Sequence, residues 1–329
     1  MMMNDKIILI TGGTGSFGKK CTEIILKHYK PRKIIIFSRD ELKQFEMSQL
    51  FKDHDCMRFF IGDVRDKERL YRAFQGVDYI IHAAALKQVP AAEYNPFEAV
   101  KTNIIGAQNI INVAIDQKVK KVIALSTDKA ANPINLYGAT KLCSDKLFVA
   151  GNSYVGRNQT TFSVVRYGNV VGSRGSVIPY FLKQKKTGIL TITDKRMTRF
   201  WITVEQGVHF VLQCMERMVG GELFVPKIPS MNIMDLAKAV DPKCKIEFIG
   251  IRPGEKIHEV LITKDDALRT DEFKDYFIIK PHFRYFERRY QNGDGKPVPE
   301  DYEYNSGTNS WWLTIDELRD IIKKLEINP

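Results

Sequence analysis

The residues that can do chemistry are concentrated in the segment from Ser126 to Lys141. Tyr137 and Lys141 form a Tyr-x-x-x-Lys pair, and this spacing places both side chains on one face of a helix. A lysine cation beside a tyrosine hydroxyl lowers the pKa of the phenol, so that the tyrosine can act as a base. Asp128 and Lys129 come shortly before them, at the expected end of a strand. The segment therefore predicts two proton-transfer pairs that lie beside each other.

Alternating strands and helices are the elements that must position these side chains. Unbroken apolar runs predict buried parallel strands at 6–11, 33–37, 57–61, 79–85, 121–125 and 161–166. Apolar residues at helical spacing predict helices at 100–118 (with Asn103 facing the core), 137–150, 200–217, 233–240 and 315–325, and a further strand is expected at 221–225. The alternation indicates an α/β fold, a Rossmann-type doubly wound parallel sheet with a smaller C-terminal substrate-binding lobe.

A chain of 329 residues is long enough for one large domain and a smaller companion. We expect residues 1–170 to form a Rossmann domain, to which 200–225 return. Residues 171–199 and 226–285 are expected to form the substrate-binding lobe, and 286–329 a C-terminal tail with the final helix.

A glycine-rich turn, Thr-Gly-Gly-Thr-Gly-Ser-Phe-Gly, follows the first strand and precedes a helix pattern. Its glycines allow a tight turn, close approach of the backbone to a pyrophosphate, and packing of the helix on the strand. The pyrophosphate would lie at the helix N-terminus, where free N–H groups favour anions. The predicted cofactor contacts are Gly12, Thr14, Gly15, Ser16, Phe17, Gly18, Ser38, Arg39, Lys43, Asp63, Val64, Ala83, Ala85, Tyr137 and Lys141.

The end of the second strand favours NADP over NAD. An NAD-specific site usually has a carboxylate there for the ribose 2′-hydroxyl. This chain has Ser38 and Arg39, and the planar fork of an arginine can pair with a 2′-phosphate. Asp40 is one residue later and leaves NAD open as the alternative.

The fourth strand ends in His82 and three alanines, whose small side chains let the backbone approach the cofactor. We expect His82 to be structural, because it precedes the alanine turn. Lys87, just beyond, is expected to reach into the crevice at the strand ends, where open α/β sheets bind ligands.

Composition argues against several classes of function. The net charge of +11 is scattered, with its densest basic runs at 183–186 and 284–289, and no nucleic-acid-binding signature is present. A positive field does favour phosphorylated anionic ligands. Five dispersed cysteines without a Cys-x-x-Cys motif indicate reduced thiols in the cytoplasm and no metal site. We expect no signal peptide and no membrane partner, because no apolar run is long enough for a membrane helix.

The glycine-rich turn and the Tyr-x-x-x-Lys pair together resemble the extended short-chain dehydrogenase/reductase family. Arg-Tyr-Gly-Asn-Val-Val-Gly at 166–172 resembles its sugar-nucleotide branch. Retaining dTDP-glucose 4,6-dehydratases carry Thr-Asp-Glu in the catalytic loop, whereas this chain has Thr-Asp-Lys at 127–129. That loop resembles the inverting UDP-N-acetylglucosamine 4,6-dehydratases, especially the type that opens pseudaminic acid synthesis for flagellin glycosylation. So do Arg-Asp-Glu-Leu-Lys-Gln at 39–44, Met-Thr-Arg-Phe-Trp at 197–201, Arg-Pro-Gly-Glu-Lys at 252–256 and Asn-Ser-Gly-Thr-Asn at 305–309.

The resemblance implies an internal redox cycle on UDP-N-acetylglucosamine with bound NADP. Tyr137 would take the proton of the sugar's 4-hydroxyl, Lys141 would hold the cofactor ribose, and Thr127 would hydrogen-bond the 4-oxygen. The resulting ketone acidifies C5. Lys129, if neutral, would remove the C5 proton, and Asp128, if protonated, would protonate the departing 6-hydroxyl. The implied product is UDP-2-acetamido-2,6-dideoxy-beta-L-arabino-hex-4-ulose.

These roles place two demands on pKa values. The pKa of Lys129 must fall from about 10.4, and that of Asp128 must rise from about 3.9. Burial without a charged partner shifts both pKa values as required, whereas a mutual ion pair would shift both the wrong way. The mechanism therefore favours a buried pair whose members do not neutralise each other.

The resemblance also implies a substrate grip that comes mostly from the second half of the chain. Arginine forks suit phosphates, and a carboxylate suits ribose hydroxyls. The expected substrate contacts are Lys87, Asn169, Ser173, Arg174, Val177, Arg199, Arg252 and Glu255. The family further implies a homo-oligomer, for example a hexamer.

Three alternatives stay open at this point. A UDP-sugar 4-epimerase shares the Tyr-x-x-x-Lys pair but needs no acid–base pair for C5 and C6, so Asp128 and Lys129 argue against it. A retaining 4,6-dehydratase for capsule or lipopolysaccharide sugars differs from an inverting one in the configuration at C5 of its product. A non-catalytic NADP-binding regulator would keep the fold without the chemistry.

Overall fold

The computed structural model describes residues 2–156, 160–171, 177–282 and 294–327. Numbered in chain order, its strands are β1 Ile7–Thr11, β2 Lys33–Ser38, β3 Met57–Ile61, β4 Tyr79–His82, β5 Lys121–Thr127, β6 Thr161–Tyr167, β7 Asn169–Val171, β8 Ile189–Ile192, β9 Thr198–Thr203, β10 Leu223–Pro226, β11 Ser230–Asn232, β12 Lys245–Phe248, β13 Val260–Ile262, β14 Thr270–Glu272, β15 Tyr276–Ile279, β16 Lys296–Pro297 and β17 Tyr304–Asn305.

The helices alternate with these strands over most of the chain. They are α1 Ser16–His28, α2 Glu41–Leu50, α3 Lys67–Ala73, α4 Val89–Tyr94, α5 Pro96–Val100, α6 Gly106–Asp116, α7 Leu136–Gly151, α8 Val177–Lys185, α9 Val204–Arg217, α10 Ile233–Val240, α11 Lys264–Ala267 and α12 Ile315–Ile327. A π-helical turn at Lys101–Ile105 joins α5 to α6, and a 3₁₀ turn at Asp128–Ala130 follows β5. Within the described ranges, no helix combines the length and apolarity needed to cross a membrane.

The large sheet has the order β16-β14-β15-β10-β6-β5-β4-β1-β2-β3. The strands from β3 to β10 run parallel, and β15, β14 and β16 add antiparallel strands at one edge. Within it, β3-β2-β1-β4-β5-β6 follow the strand order of a Rossmann fold. The strands β1 to β3 are added toward one edge, and β4 to β6 are added toward the other, so the strand order reverses between β1 and β4. The predicted fold class is confirmed. Ligands bind in such sheets beyond the carboxyl ends of the strands near this reversal.

Two hydrophobic cores support the cleft. The larger one is made by the parallel strands and their covering helices, and Ile8, Leu9 and Ile10 of β1 are fully buried within it. The smaller one packs α8, α10 and α12 around Trp201 and Leu236. Three small sheets, β11-β9-β7, β12-β8 and β13-β17, lie outside the large one. Strands β14 and β15 fall in the range expected for the substrate-binding lobe, but they pair with the large sheet. The domain boundaries stay a prediction.

Two predicted helices differ from the structure. The helix expected at 200–217 begins only at Val204, because Thr198–Thr203 forms strand β9 and Thr203 then caps α9 in a reciprocal bond with Gln206. A run of β-branched and aromatic side chains favours the strand there. The helix expected at 100–118 is interrupted by the π-helical turn. Asn103 within that turn does face the core: its amide bonds Leu86 N and O and Thr140 Oγ1.

Candidate active site

The glycine-rich turn connects β1 to α1 and packs against the end of β4. Gly12 has φ of +65°, and a Cβ there would lie 2.9 Å from backbone atoms of Ala84. A Cβ on Gly18 would lie 2.2 Å from the carbonyl oxygen of Gly13, so Gly18 serves helix packing. Gly15 is the N-cap of α1 and offers no side-chain bond, which leaves the first N–H groups of the helix available for an anion.

A cleft of about 720 Å³ opens from this turn along the strand ends. It is lined by most of the predicted cofactor and catalytic residues and by three of the predicted substrate contacts. They are Gly12, Thr14, Gly15, Ser16, Phe17, Ser38, Arg39, Lys43, Asp63, Val64, Ala83, Ala85, Lys87, Thr127, Asp128, Lys129, Tyr137, Lys141, Asn169 and Val177. Gly18, Arg199, Arg252 and Glu255 do not line it, and Ser173 and Arg174 lie outside the described residues, as does the basic run at 284–289.

The far end of the cleft carries charges that are already arranged in pairs. Arg39 lies 3.6 Å from Asp63, which binds Arg65 more closely at 2.7 Å. Burial would raise the pKa of Asp63, but the hydrogen bonds from Arg65 outweigh it and the pKa is lowered. Asp40 caps α2 by accepting from Lys43 N at 3.0 Å and also pairs with the Lys43 ammonium. The exposed side chain at the tip of β2 is therefore the Arg39 guanidinium.

His82 has the structural place that the sequence predicted. It is buried at the end of β4, and its Nδ1 lies 2.7 Å from Thr11 Oγ1, directly under the glycine-rich turn. Burial, helped by the Lys141 cation, lowers the pKa of His82 to about 3. The ring is therefore neutral at physiological pH.

The catalytic loop begins where β5 ends. Thr127 Oγ1 donates to Asp128 Oδ1 at 2.9 Å, and Lys129 Nζ lies 3.0 Å from the same oxygen. Lys129 also lies 3.4 Å from Oε1 of Glu259, which precedes β13. Asp128 is buried, and its Oδ2 has no hydrogen-bond partner among the described residues.

This pairing corrects the expectation that Asp128 and Lys129 would be buried without neutralising each other. Burial by itself lowers the pKa of Lys129, but the carboxylates of Asp128 and Glu259 outweigh it and the pKa is raised. Lys129 is therefore an ammonium in this state. Sequence reasoning missed the second carboxylate, because Glu259 comes from a segment far along the chain.

Helix α7 brings Tyr137 against this loop. Asn135 caps the helix by accepting from Gly138 N at 2.8 Å. A Cβ on Gly138 would lie 2.2 Å from the carbonyl oxygen of Lys129, so only glycine allows this close approach. The sequence therefore places the phenol beside the catalytic loop through local contacts alone.

The electrostatics of the tyrosine differ from the prediction. Burial raises the pKa of Tyr137 to about 12, and the cation that opposes this rise is Lys129, together with a hydrogen bond to Thr127. We expected Lys141 to lower this pKa below its ordinary value, and that expectation is wrong for this state. Lys141 is buried one turn later, and burial lowers its own pKa against the opposing charge of Asp145.

The substrate-side wall contains both predicted and unpredicted groups. Asn169 of β7 and Trp201 of β9 are register partners that both line the cleft. Asn169 Oδ1 and Trp201 Nε1 are buried and have no hydrogen-bond partner among the described residues. A polar atom without a partner is costly, so both atoms are candidates for ligand contact. Trp201 was missed because its aromatic ring indicates packing when read alone.

Arg199, Arg252 and Glu255, which were predicted as substrate contacts, do not line the cleft. Arg199 donates to the carbonyl oxygens of Thr198 and Ile257, and its Nε lies 3.7 Å from Glu259. Arg252 is exposed, and its N–H donates to Glu255 at 3.4 Å. The segment 252–256 still touches the catalytic region: Gly254 O accepts from Asn135 Nδ2 at 2.9 Å, and Lys256 Nζ donates to Ala131 O at 2.6 Å. Substrate binding by Arg199, Arg252 and Glu255 stays a prediction.

Comparison with known proteins places this geometry in a family. The sequence model described as "Polysaccharide biosynthesis protein" matches residues 8–281. The chain belongs to this family. It is 58% identical over 333 residues to the UDP-N-acetylglucosamine 4,6-dehydratase (inverting) of Campylobacter jejuni subsp. jejuni serotype O:23/36 (strain 81-176), covering 99% of each chain. It is also 42% identical to a UDP-glucose 4-epimerase of Rickettsia conorii (strain ATCC VR-613 / Malish 7), covering 99% of this chain and 97% of the other.

Solved structures agree with the extended short-chain dehydrogenase/reductase fold. The structure of Pen from Bacillus thuringiensis matches with a TM-score of 0.91 and 41% identity, covering 99% of this chain and 100% of that one. The dTDP-glucose 4,6-dehydratase DesIV from Streptomyces venezuelae, solved with NAD and TYD bound, matches with a TM-score of 0.68 and 22% identity over 76% of this chain and 86% of that one. At that identity the second likeness concerns the fold alone.

Proposed function

We propose that this chain is a hydro-lyase, an inverting UDP-N-acetylglucosamine 4,6-dehydratase. Its product would be UDP-2-acetamido-2,6-dideoxy-beta-L-arabino-hex-4-ulose. The observation that carries the proposal is the Asp128–Lys129 pair, which lies in the same cleft as Tyr137 and the glycine-rich turn. A redox tyrosine alone serves many reactions on this fold, whereas an adjacent amine and carboxyl group are what elimination of water requires. The relative that is 58% identical carries the same name.

The cleft fits a nicotinamide dinucleotide. The uncapped start of α1 and the lack of room for a Cβ at Gly12 suit a pyrophosphate, and Tyr137 and Lys141 lie further along the same cleft. When bound in this cleft, a nicotinamide would supply the redox chemistry, as acceptor of hydride from C4 of the sugar and donor of hydride to C6. NADP is the proposed form, since Arg39 is exposed at the end of β2 while the Asp40 carboxylate is engaged by α2 and Lys43.

The side chains would move the protons in a fixed order. Tyr137, as phenolate, accepts the proton of the 4-hydroxyl while Thr127 donates a hydrogen bond to that oxygen. Lys129, as the neutral amine, removes the C5 proton that the 4-ketone has made acidic. Asp128, as the acid, protonates O6, and the C6–O6 bond breaks with release of water. Hydride addition at C6 and addition of a solvent-derived proton at C5, on the face opposite Lys129, then complete the reaction and invert C5.

The resting ion pair is compatible with this order. The pair of ammonium and carboxylate and the pair of amine and carboxylic acid contain the same number of protons. They differ only by the position of one proton along the 3.0 Å contact between Lys129 Nζ and Asp128 Oδ1. The mechanism therefore includes one proton transfer from the Lys129 ammonium to the Asp128 carboxylate.

A UDP-sugar 4-epimerase is the second candidate, because a relative with that name is 42% identical over nearly the whole chain. An epimerase would use Tyr137 in the same way and would leave the Asp128–Lys129 pair without a task. Mass spectrometry after incubation with UDP-N-acetylglucosamine decides between the two. A product lighter by one water supports the dehydratase, and a product of unchanged mass supports the epimerase. NMR of the configuration at C5 then separates an inverting from a retaining dehydratase.

The wider setting follows from the same proposal. The product would feed pseudaminic acid synthesis for flagellin glycosylation in the cytoplasm, where the five free thiols stay reduced. The enzyme is proposed to act as a homo-oligomer, for example a hexamer. Tyr94 and Phe97, on α4 and α5, are exposed apolar side chains that a second copy could cover. Light scattering coupled to size exclusion tests the oligomer, and chemical analysis of flagellin from a strain lacking the gene tests the pathway.

A further inference from the structure

Glu259 is a buried carboxylate that contacts Lys129 but does not line the cleft. It is 2% exposed, and its Oε1 lies 3.4 Å from Lys129 Nζ and 3.7 Å from Arg199 Nε. Its Oε2 is buried and has no hydrogen-bond partner among the described residues. Lys129 therefore lies between two carboxylates, with Asp128 in the cleft wall and Glu259 behind it.

One serine fixes the backbone of Glu259. Glu259 N donates to Ser306 Oγ at 2.9 Å, and Ser306 N donates to Glu259 O at 2.8 Å. The same hydroxyl lies 2.7 Å from Thr198 Oγ1, in the residue before Arg199. Ser306 is fully buried. The C-terminal segment thus holds both the carboxylate and its second cation in place relative to the catalytic loop.

Stability alone does not explain the buried Glu259 carboxylate beside Lys129 and Arg199. Burying a charge is expensive, and buried ion pairs can often be replaced by packed apolar residues without loss of stability. A carboxylate with one oxygen unsatisfied is more costly still. A lysine that must reach one carbon of a substrate, in contrast, gains from being held, because its four-carbon chain is otherwise free to rotate.

We propose that Glu259 is a positioning residue for Lys129, holding its amine at the cleft wall where the C5 proton of the sugar is to be removed. This inference rests on the proposed function, since it concerns the base of that reaction. Glu259 would not touch substrate or cofactor. Its effect would reach the reaction only through the place and the charge of the Lys129 amine.

The charge of Glu259 also acts on the protonation of Lys129. The titratable and charged groups that face Lys129 are Asp128, Glu259, Arg199, Tyr137, Lys87 and Lys256. Glu259 and Asp128 favour the ammonium, and Arg199 opposes it. Removing the Glu259 charge lowers the pKa of Lys129, so a larger fraction of the amine is neutral at a given pH. Glu259→Asp keeps the charge and withdraws it by one methylene.

The test compares Glu259→Gln and Glu259→Asp with wild type. The measured quantity is the maximal rate at which solvent deuterium enters C5 during turnover of UDP-N-acetylglucosamine. We expect both variants to lower this rate by about 10–100-fold, because the amine is misplaced.

Glu222→Gln is the matched control. Glu222 is equally buried and accepts from Ser163 Oγ and from two backbone N–H groups, but it does not contact the catalytic loop. Its loss should reduce thermal stability and leave the maximal rate of deuterium entry unchanged. A wild-type rate of deuterium entry in both Glu259 variants would overturn the proposal.

A second readout separates this inference from the proposed function. The side chain of Lys129 is 26% exposed, so competitive acetylation with acetic anhydride, followed by peptide mass spectrometry, can titrate its amine without any turnover. Faster acetylation of Lys129 at one fixed pH in Glu259→Gln than in wild type supports the inference even if no water is eliminated. Equal acetylation rates refute it, whichever reaction the enzyme performs. If Glu259→Gln does not fold, the maximal rate of deuterium entry in Glu259→Asp still decides: a loss of about 10–100-fold supports the inference, and a wild-type rate refutes it.

Discussion

Lys129 Nζ lies 3.0 Å from Asp128 Oδ1, and this contact contains the proton that the proposed elimination has to move. The ordinary pKa values of a lysine and an aspartate differ by about 6.5 units, which favours the ion pair by about 9 kcal/mol in water. Burial of the Lys129 amine opposes that preference, because a neutral pair has no charges to desolvate, but the carboxylates of Asp128 and Glu259 outweigh it in this state. Further exclusion of water by a bound sugar would favour proton transfer from Lys129 to Asp128.

In the proposed order, the first half of the reaction would favour that proton transfer. The pKa of Tyr137 is about 12 in this state, so the phenolate is a form that the proposed reaction must first generate. Lys129 opposes the rise in the pKa of Tyr137, and the interaction is mutual, so a phenolate at Tyr137 would stabilise the Lys129 ammonium. Once Tyr137 had taken the proton of the 4-hydroxyl, this negative charge would disappear and the pKa of Lys129 would fall.

Removing the Lys129 amine should separate the two halves of the reaction. We expect Lys129→Met to slow entry of solvent deuterium at C5 by about 10²–10⁴-fold, the usual contribution of a general base. Reduced nicotinamide should still form and should accumulate, which its absorbance reports. Lys121→Met is the control, since Lys121 lies at the other end of β5 and donates to Met215 O. Deuterium entry at the wild-type rate in Lys129→Met would end the assignment of the base.

Removing the Tyr137 hydroxyl should stop the reaction before any hydride moves. Tyr137→Phe is expected to lower turnover by about 10²–10⁴-fold, with no transient reduction of the nicotinamide. Dinucleotide affinity measured by calorimetry should change little, because the ring stays in place. Tyr167→Phe removes a second hydroxyl from the cleft lining and should cost far less. Normal transient reduction in Tyr137→Phe would show that another group takes the 4-hydroxyl proton.

The glycine-rich turn can be tested by adding one methyl group. Gly12→Ala would place a Cβ 2.9 Å from the backbone of Ala84 at a φ of +65°, so the turn must shift where the pyrophosphate is expected. We expect dinucleotide affinity to fall about tenfold or more, which is about 1.4 kcal/mol. Gly76→Ala has a similar φ of +72° and open space around it, so it should reduce stability while affinity stays the same. Equal affinities in the two variants would refute the assignment of the turn.

His82 should make the folded state sensitive to mild acid. The unfolded imidazole takes up a proton near pH 6.5, but the folded one does so only near its lowered pKa of about 3. Stability is thus fully present above about pH 6.5 and is lost as pH falls toward that lower value. Between pH 6.5 and 5 the loss from this residue is about 1.5 kcal/mol. Denaturant titrations of wild type and His82→Asn should differ by this amount in their pH dependence, and parallel curves would refute it.

Much of the site could be predicted because its contacts are local or follow from topology. The glycine-rich turn, the end of β5 and the Tyr-x-x-x-Lys pair each depend on short spacings, and parallel strands bring their carboxyl ends to one edge. His82 and Asn103 were also placed as expected, because buried polar groups on such elements need hydrogen-bond partners.

The parts that failed depend on contacts between distant segments. Nothing near Lys129 in the sequence indicates that Glu259 will lie 3.4 Å away, or that Arg199 will lie 3.7 Å from the same carboxylate and not line the cleft. The pKa expectation for Lys129 failed for this reason, whereas that for Tyr137 failed because burial raises its pKa. Strand β9 was mistaken for a helix start because its pairing with β7 and β11 is decided by tertiary structure.

The most direct test is NMR of the product that the wild-type enzyme makes from UDP-N-acetylglucosamine in heavy water. The account predicts loss of water, a methyl group at C6, and one solvent deuterium at C5 with the L-arabino configuration. A product that still carries the 6-hydroxyl, or one that has lost water but kept the substrate's own hydrogen at C5, would contradict it.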